Sequence, residues 1–287
     1  MAPTDPRLSS ANFVFLRYCT NDAWVGSATA PLPGMAFSML GRVYIDAVLQ
    51  ELVSARGLGA APGTRVLFSG CSAGARGAMF NSHFVAGRLR QLLPAHANLA
   101  AFGSLFDSAY WVDIDPYSPK ATPFRTQVQN VYAMTGAGAA GYLNPACTAA
   151  FPAAEGWKCM FGEYSSNYTQ EDYMIHVYQF DLFQLNEDVG HTPATAAEIA
   201  YANGFQKDVR ALASTTVLGP ARAGTAALLP ACYHHCNTGG STFATATTDG
   251  VTLQDVVAGW FSGLPGGTTG KFVMEDCLGF KCGKGCP

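Results

Sequence analysis

The sequence contains few charged residues. Asp, Glu, Lys and Arg make up 13% of its 287 residues, whereas about 25% is usual for a globular protein. The formal net charge is −3, and no basic cluster is interleaved with aromatic residues. This composition argues against nucleic acid as a partner. Much of the surface must therefore be covered by Ser, Thr, Asn, Gly and Ala.

Long apolar runs are missing as well. No run reaches the roughly 18 residues of a membrane-spanning helix, so we expect no membrane span. The first residues, MAPTDPR, lack the apolar core of a secretory signal peptide. The chain is long enough for one large hydrophobic core, which favours a single elaborated domain over residues 1–287. We expect this domain to be a monomer.

Cysteine, in contrast, is abundant, with nine residues. Cys277, Cys282 and Cys286 lie close together at the end of the chain. Such spacing predicts a tail fastened by disulfides, which is typical of proteins in an oxidising compartment. Because nine is an odd number, at least one thiol lacks a partner within the chain.

Apolar runs and helical periodicities alternate along the sequence. The runs predict strands at 12–18, 65–69, 99–106, 173–180 and 226–232. The periodic segments predict helices at 37–57, 74–93, 195–212 and 253–261. This alternation indicates an α/β fold with a mostly parallel sheet and helices on both faces. The segment 113–172 has little periodicity, so we predict an irregular lid or cap there.

The pentapeptide Gly70-Cys71-Ser72-Ala73-Gly74 follows a predicted strand and precedes a predicted helix. A serine on a tight strand-to-helix turn projects its hydroxyl clear of the sheet, and flanking glycines allow the sharp turn. Ser72 is therefore the candidate nucleophile. The backbone amide of Ala73, next after the nucleophile, is a candidate oxyanion donor.

A serine nucleophile needs a histidine base and a carboxylate that orients the histidine. In doubly wound hydrolases the acid and then the histidine follow the serine along the chain. Asp181 is placed at the carboxyl end of the fourth predicted strand, the edge at which catalytic groups gather. Asp107 ends the preceding apolar run and is the rival candidate. Asp181 fits better, because the orienting acid normally follows a later strand.

Of the six histidines, two lie where a catalytic histidine loop is expected. His234 and His235 follow the last predicted strand, and the residues alone do not choose between them. A zinc site that combines them with Cys232 and Cys236 is a less favoured alternative, because those cysteines are expected to form disulfides. The other four histidines fall in the helix after Ser72, in loops or within a strand: His83, His96, His176 and His191.

Five blocks of the sequence resemble the pectin acetylesterases and the related Notum-type carboxylesterases. RYCTNDAWVG at 17–26 is similar to RYCDGASFTGD of the plant family, and GCSAG at 70–74 is identical to its GCSAG. LFDSAYW at 105–111 is similar to SDAGFF, FDLFQ at 180–184 to YDSWQ, and ACYHHCN at 231–237 to SCFAHCQ. The blocks occur in the same order over nearly the whole chain.

The resemblance implies an α/β-hydrolase-like fold and ester hydrolysis without a metal or other cofactor. It assigns Ser72 as nucleophile, Asp181 as orienting acid and His235 as general base, since His235 directly precedes the cysteine. It gives Asp107 a structural or pocket-lining role. The remaining candidate pocket residues are Tyr110, Trp111 and His234. The family's substrates are acetyl esters of cell-wall pectin or a fatty acyl ester on a signalling protein, which implies a secreted or cell-wall protein.

Two departures from the family pattern affect these expectations. The family has a Gly-Gly-Gly-Trp-Cys loop upstream of the RYC block, which supplies oxyanion amides, and this sequence contains no such loop. We therefore expect an amino-terminally incomplete family member whose missing segment carries a cysteine partner. In addition, Gly74-Ala75-Arg76 replaces the family's Gly-Gly after the elbow, so Arg76 is expected to alter the entrance to the site.

Two other functions compete with hydrolysis of acetylated polysaccharide. A lipid-ester hydrolase would use the same residues with a deeper apolar pocket. A non-catalytic carbohydrate-binding protein would instead use the aromatic side chains around the cleft, namely Tyr110, Trp111, Tyr117 and Phe183.

Overall fold

The computed structural model describes residues 5–27, 34, 38–94, 99–136, 142–218, 223–265 and 272–287. The helices are α1 (Pro6–Ser9), α2 (Gly41–Ala55), α3 (Ala73–Leu92), α4 (Phe124–Thr135), α5 (Pro145–Ala149), α6 (Gly162–Ser165), α7 (Leu182–Val189), α8 (Ala196–Ala213), α9 (Thr242–Thr245) and α10 (Leu253–Ser262). Short 3₁₀ segments (Ala153–Met160 and Ser166–Tyr168) and a π-helical turn (Ser214–Leu218) join them.

The strands are β1 (Thr64–Cys71), β2 (Leu99–Asp107), β3 (Asp172–His176), β4 (Phe180–Asp181), β5 (Thr225–Leu229), β6 (Tyr233–His234), β7 (Thr247–Thr248), β8 (Val251–Thr252) and β9 (Phe272–Met274). Five of them form a parallel sheet in the order β1-β2-β3-β5-β9. Strands β4 and β6 form a separate parallel pair, and β7 and β8 an antiparallel hairpin. The predicted, mostly parallel α/β sheet is confirmed.

Both faces of the sheet are covered by helices, as buried parallel strands require. On one face, Phe102 of β2 packs with Ile45 of α2 and Leu89 of α3. On the other face, Leu105 of β2 packs with Trp260 of α10. The sheet is therefore packed on both faces. Its ladders set the register of β1, β2 and β3, so that Cys71, Asp107 and His176 lie side by side at the carboxyl ends of the strands.

The first predicted strand, at 12–18, is wrong. This segment forms no strand, and Phe13 and Phe15 are 64% and 88% exposed. Apolar content alone does not make a strand, because a strand also needs a ladder partner, and the described strands provide none for this segment. The predicted strand at 173–180 is divided: β3 stays in the main sheet, whereas β4 leaves it to pair with β6.

The prediction of an irregular structure for 113–172 is also wrong. This segment contains α4, α5, α6 and both 3₁₀ segments, and the disulfide Cys147–Cys159 joins two of these elements. Phe124 and Phe161 are buried in the main core. α5, α6 and the 3₁₀ segments have at most 8 residues each, too few for a sustained 3.6-residue period. α4 does have this period, with Phe124 and Val128 buried one turn apart, and the sequence prediction missed it.

The predicted disulfides of the tail are present. Cys277 pairs with Cys282, and Cys286 pairs with Cys232 just after β5. These bonds fix the carboxyl-terminal segment against the end of the sheet. The unpaired cysteine is Cys19, which is exposed. Within the residues described, no helix combines the length and apolar character needed to cross a membrane.

Candidate active site

Ser72 occupies the turn between β1 and α3 with a backbone conformation that is rare for a residue with a side chain. Its φ is 55° and its ψ is −122°. The turn is held by the Ser72 amide, which donates to the carbonyl of Asp107 at 2.9 Å, and by the Arg76 amide, which donates to the carbonyl of Ser72 at 2.9 Å. Strained backbone of this kind occurs mainly at functional sites. The sequence-predicted elbow is thus present, with its serine partly exposed.

The two glycines of the elbow differ in the space around them. A Cβ on Gly70 would lie 2.3 Å from the carbonyl carbon of Gly74, whereas a Cβ on Gly74 would meet nothing within 4 Å. The turn therefore requires the first glycine because the chain closes tightly against it. The turn does not require the second glycine in the same way, because the space around Gly74 is open.

We expect Gly70→Ala to lower the free energy of unfolding by about 2 kcal/mol or more, because backbone must move to admit the methyl group. Gly74→Ala, in the first turn of α3, is expected to be neutral or stabilising by up to ~1 kcal/mol, because alanine favours a helix. Urea unfolding of both variants would measure the difference. An equal effect of the two substitutions would contradict this account of the elbow.

Asp181 and His235 form a hydrogen-bonded pair. His235 Nδ1 lies 2.8 Å from Asp181 Oδ2, and Asp181 is nearly fully buried. Asp181 also caps α7, since its Oδ1 accepts from the Gln184 amide at 2.9 Å. The parallel pairing of β4 with β6 brings the two segments together. The carboxylate is thereby fixed from two sides and holds the imidazole in one orientation.

The surroundings of His235 favour its protonated form. Burial lowers the pKa of His235, but the hydrogen bond and negative charge of Asp181, helped by the charge of Asp107, outweigh burial and raise the pKa above its usual value. Its Nε2 is buried and has no hydrogen-bond partner. With Nδ1–H donated to Asp181, Nε2 is the free basic nitrogen that a general base needs.

A disulfide brings the elbow and the histidine loop together. Cys71, which precedes Ser72, is bonded to Cys236, which follows His235, and their Cα atoms are 5.7 Å apart. In the described part of the chain, Cys71, His235 and Cys236 are the one cluster with the spacing of metal ligands, but its two sulfurs are joined to each other. The zinc alternative is wrong, because Cys232 is bonded as well.

Asp107 lies beneath this loop rather than in the acid–base pair. It is fully buried, and its Oδ1 is 2.7 Å from His176 Nδ1. Its Oδ2 accepts from the amides of Asn237 and Thr238, each at 2.7 Å. Burial raises the pKa of Asp107, but His176 and these amides outweigh burial and lower the pKa to about 2. The ionised carboxylate thus holds the segment directly after His235.

The other predicted pocket residues have different surroundings. Trp111 stacks on Phe183 with ring centroids 5.8 Å apart, and Phe183 lies 5.4 Å from the His235 ring. Tyr110, in contrast, is buried in the core, where its hydroxyl is paired with Thr216. His234 packs edge-on against Tyr178, and burial together with the charge of His235 lowers its pKa. The structure therefore places Trp111 next to Phe183, which contacts His235, and places Tyr110 among core side chains.

The amide of Ala73 is the first of α3. The first four amides of a helix have no partner within it, and the helix dipole places partial positive charge there. The location is therefore suited to stabilising an oxyanion next to Ser72.

Sequence reasoning missed two parts of the site. It assigned no disulfide partner to Cys71 and no functional partner to His176. Pairing of Cys71 with Cys236 spans 165 residues, and nine cysteines allow too many combinations for this one to be selected. Parallel register places Asp107 beside His176, and a motif within one segment contains no such information.

Comparison with known proteins supports the family resemblance of the sequence blocks. The family model described as "PAE: Pectinacetylesterase" matches residues 2–269. The palmitoleoyl-protein carboxylesterase NOTUM of Drosophila melanogaster is 27% identical over 69% of this chain and 28% of its own length. Its human counterpart is 26% identical over 80% of this chain and 45% of its own length. The chain thus spans less than half the length of these two relatives.

A solved structure of the Wnt deacylase Notum from Drosophila has a TM-score of 0.81 with this chain. It is 24% identical, and the match covers 99% of this chain and 76% of the other. This likeness confirms the predicted α/β-hydrolase-like fold. Together with the family model, it confirms the resemblance found in the sequence: the chain belongs to the pectinacetylesterase family.

Proposed function

We propose that this protein is a serine carboxylesterase that uses Ser72, His235 and Asp181. The observation that carries the proposal is the joining of the two catalytic segments. The 5.7 Å Cα separation of Cys71 and Cys236 brings the strained serine turn next to the histidine loop, and Asp181 holds the imidazole at 2.8 Å. Ser72, Asp181 and His235 occur in the chain order nucleophile, acid, base, which supports these roles.

The reaction would proceed through an acyl-enzyme. His235 Nε2 takes the proton of Ser72 as its Oγ attacks the ester carbonyl, and Asp181 stabilises the imidazolium that forms. The Ala73 amide and the amino end of α3 stabilise the negative charge on the carbonyl oxygen. His235 then donates its proton to the leaving alcohol, activates a water molecule, and hydrolysis restores Ser72.

We propose acetyl esters of cell-wall pectin as the substrate, following the description of the matching family. Four disulfides support action in an oxidising compartment, outside the cell. A lipid ester is the second candidate, because the curated relatives are named palmitoleoyl-protein carboxylesterases. The two candidates share the catalytic residues and differ in the acyl group that must fit beside Ser72.

A series of p-nitrophenyl esters would separate the candidates. We expect the highest kcat/KM with the acetyl ester, with a fall of at least ~10-fold by octanoate, and we expect release of acetate from acetylated pectin. A preference for long chains would instead establish the lipid ester. Failure of a fluorophosphonate probe to label folded protein, with no turnover of any ester, would favour the non-catalytic carbohydrate-binding alternative.

A further inference from the structure

Arg76 is a buried cation without a counter-charge. The residue is 8% exposed, and its Nε and Nη2 have no hydrogen-bond partner. Every Asp and Glu of the chain lies among the residues that the structure describes, and none of them pairs with Arg76. Removing a charge from water is costly unless hydrogen bonds or an opposite charge replace the lost hydration.

A second buried arginine, Arg42, is hydrogen-bonded through Nη1, although its Nε has no partner. Arg42 is 7% exposed and stacks on Phe84 at 3.6 Å. Its Nη1 donates to Asn81 Oδ1 at 2.5 Å and to the carbonyl of Tyr142 at 3.1 Å. Arg76 has the stacking contacts, with Trp111 at 4.2 Å and Phe80 at 5.7 Å, but not the hydrogen bonds. Two donor nitrogens of Arg76 are therefore unpaired, against one in Arg42.

The two free nitrogens of Arg76 define the kind of ligand. Nε–H and Nη2–H lie on the same edge of the guanidinium and point in the same direction, which matches the two oxygens of a carboxylate. The indole Nε1 of Trp111, the ring on which Arg76 stacks, is likewise buried without a partner. Burial lowers the pKa of Arg76 to about 10, so the guanidinium still carries its charge at neutral pH.

These donors lie next to the active site. The Arg76 amide donates to the carbonyl of Ser72, so Arg76 is one helical turn beyond the nucleophile. Successive ring contacts connect Arg76 with His235. Arg76 stacks on Trp111, Trp111 stacks on Phe183, and Phe183 contacts the His235 ring. Arg76 is therefore linked to Ser72 through the first turn of α3 and to His235 through two aromatic rings.

We propose that Arg76 and Trp111 form a carboxylate subsite, which binds the acid group of a uronic acid residue in the ester substrate. This inference rests on the proposed esterase function and specifies the alcohol part of its substrate. The subsite would select acetylated sugars that are part of an acidic polymer over those in a neutral one. It would also explain why the chain retains a buried charge that no residue of its own neutralises.

The test compares two versions of one polymer, acetylated polygalacturonate and the same material after reduction of its carboxyl groups to alcohols. We expect the wild-type ratio of kcat/KM, acidic over neutral, to fall at least ~10-fold in both Arg76→Met and Arg76→Lys. Lysine keeps the charge but lacks the two-pronged geometry. Arg42→Met is the matched control and is expected to leave the ratio unchanged, since Arg42 is buried and stacked but donates through Nη1 to groups of the protein itself.

Binding to the Ser72→Ala variant separates this inference from the esterase proposal. In calorimetry, trigalacturonate should bind to Ser72→Ala and bind at least ~10-fold more weakly when Arg76→Met is added. This result would support the subsite even if no ester were hydrolysed. An unchanged ratio in both Arg76 variants, or acetate binding as tightly as trigalacturonate, would overturn the subsite while leaving the esterase proposal intact.

Thermal unfolding should show Arg76→Met to be as stable as wild type or more stable, because an unpaired buried charge is removed.

Discussion

Ser72→Ala is expected to reduce kcat for p-nitrophenyl acetate by at least ~10³-fold. The alanine variant has no nucleophile, so the reaction must proceed by direct attack of water, and only the oxyanion donors and binding would remain to accelerate it. Steady-state hydrolysis and labelling by a fluorophosphonate probe would measure the loss. The probe should label wild type at a single site and leave Ser72→Ala unlabelled.

A second serine, on β1, offers a matched control for this experiment. Ser69 lies three residues earlier on β1 and is exposed, so Ser69→Ala removes the same hydroxyl group without touching the elbow. Its kcat should stay within about twofold of wild type, since surface substitutions seldom affect folding. Turnover by Ser72→Ala at the wild-type rate would refute the assignment of the nucleophile.

The local parts of this fold and site could be predicted from the sequence. The strand, the turn at Ser72 and the following helix are consecutive, so a short motif with its flanking periodicity contains the necessary information. Position after a later strand favoured Asp181 over Asp107, and the resemblance to the family selected His235 over His234. The structure shows a hydrogen bond between Asp181 and His235 at 2.8 Å.

The parts that depend on distant contacts could not be predicted. The register of β2 with β3 places Asp107 beside His176, a core histidine, and not beside a catalytic base. The apolar run at 12–18 reads as a strand in isolation, yet no described strand pairs with it. Arg76 was recognised as unusual, but its lack of a partner is visible only once the surrounding side chains are placed.

The second large effect is expected from Asp181→Asn, which should lower kcat/KM for p-nitrophenyl acetate by about 10²- to 10⁴-fold. The asparagine amide can donate to His235 Nδ1, which favours the tautomer that carries its proton on Nε2 and so cannot accept one from Ser72. Folding should be preserved, because asparagine is as good a helix cap as aspartate and its oxygen can still accept from the Gln184 amide at the start of α7.

The pH profile distinguishes this role of Asp181 from a purely structural one. The carboxylate raises the pKa of His235 against the lowering effect of burial, so wild-type kcat/KM should rise with pH through a midpoint above about 6.5, the usual histidine value. Without the carboxylate charge, burial lowers the pKa of His235, and the midpoint should move to lower pH.

Asp188, at the other end of α7, is the matched control. Burial raises its pKa to about 7, so its titration could produce a similar rise of kcat/KM with pH. Asp188→Asn should leave the midpoint in place, because Asp188 pairs with Tyr201 and not with His235. A midpoint that moves in Asp188→Asn and stays in Asp181→Asn would exclude His235 as the titrating base.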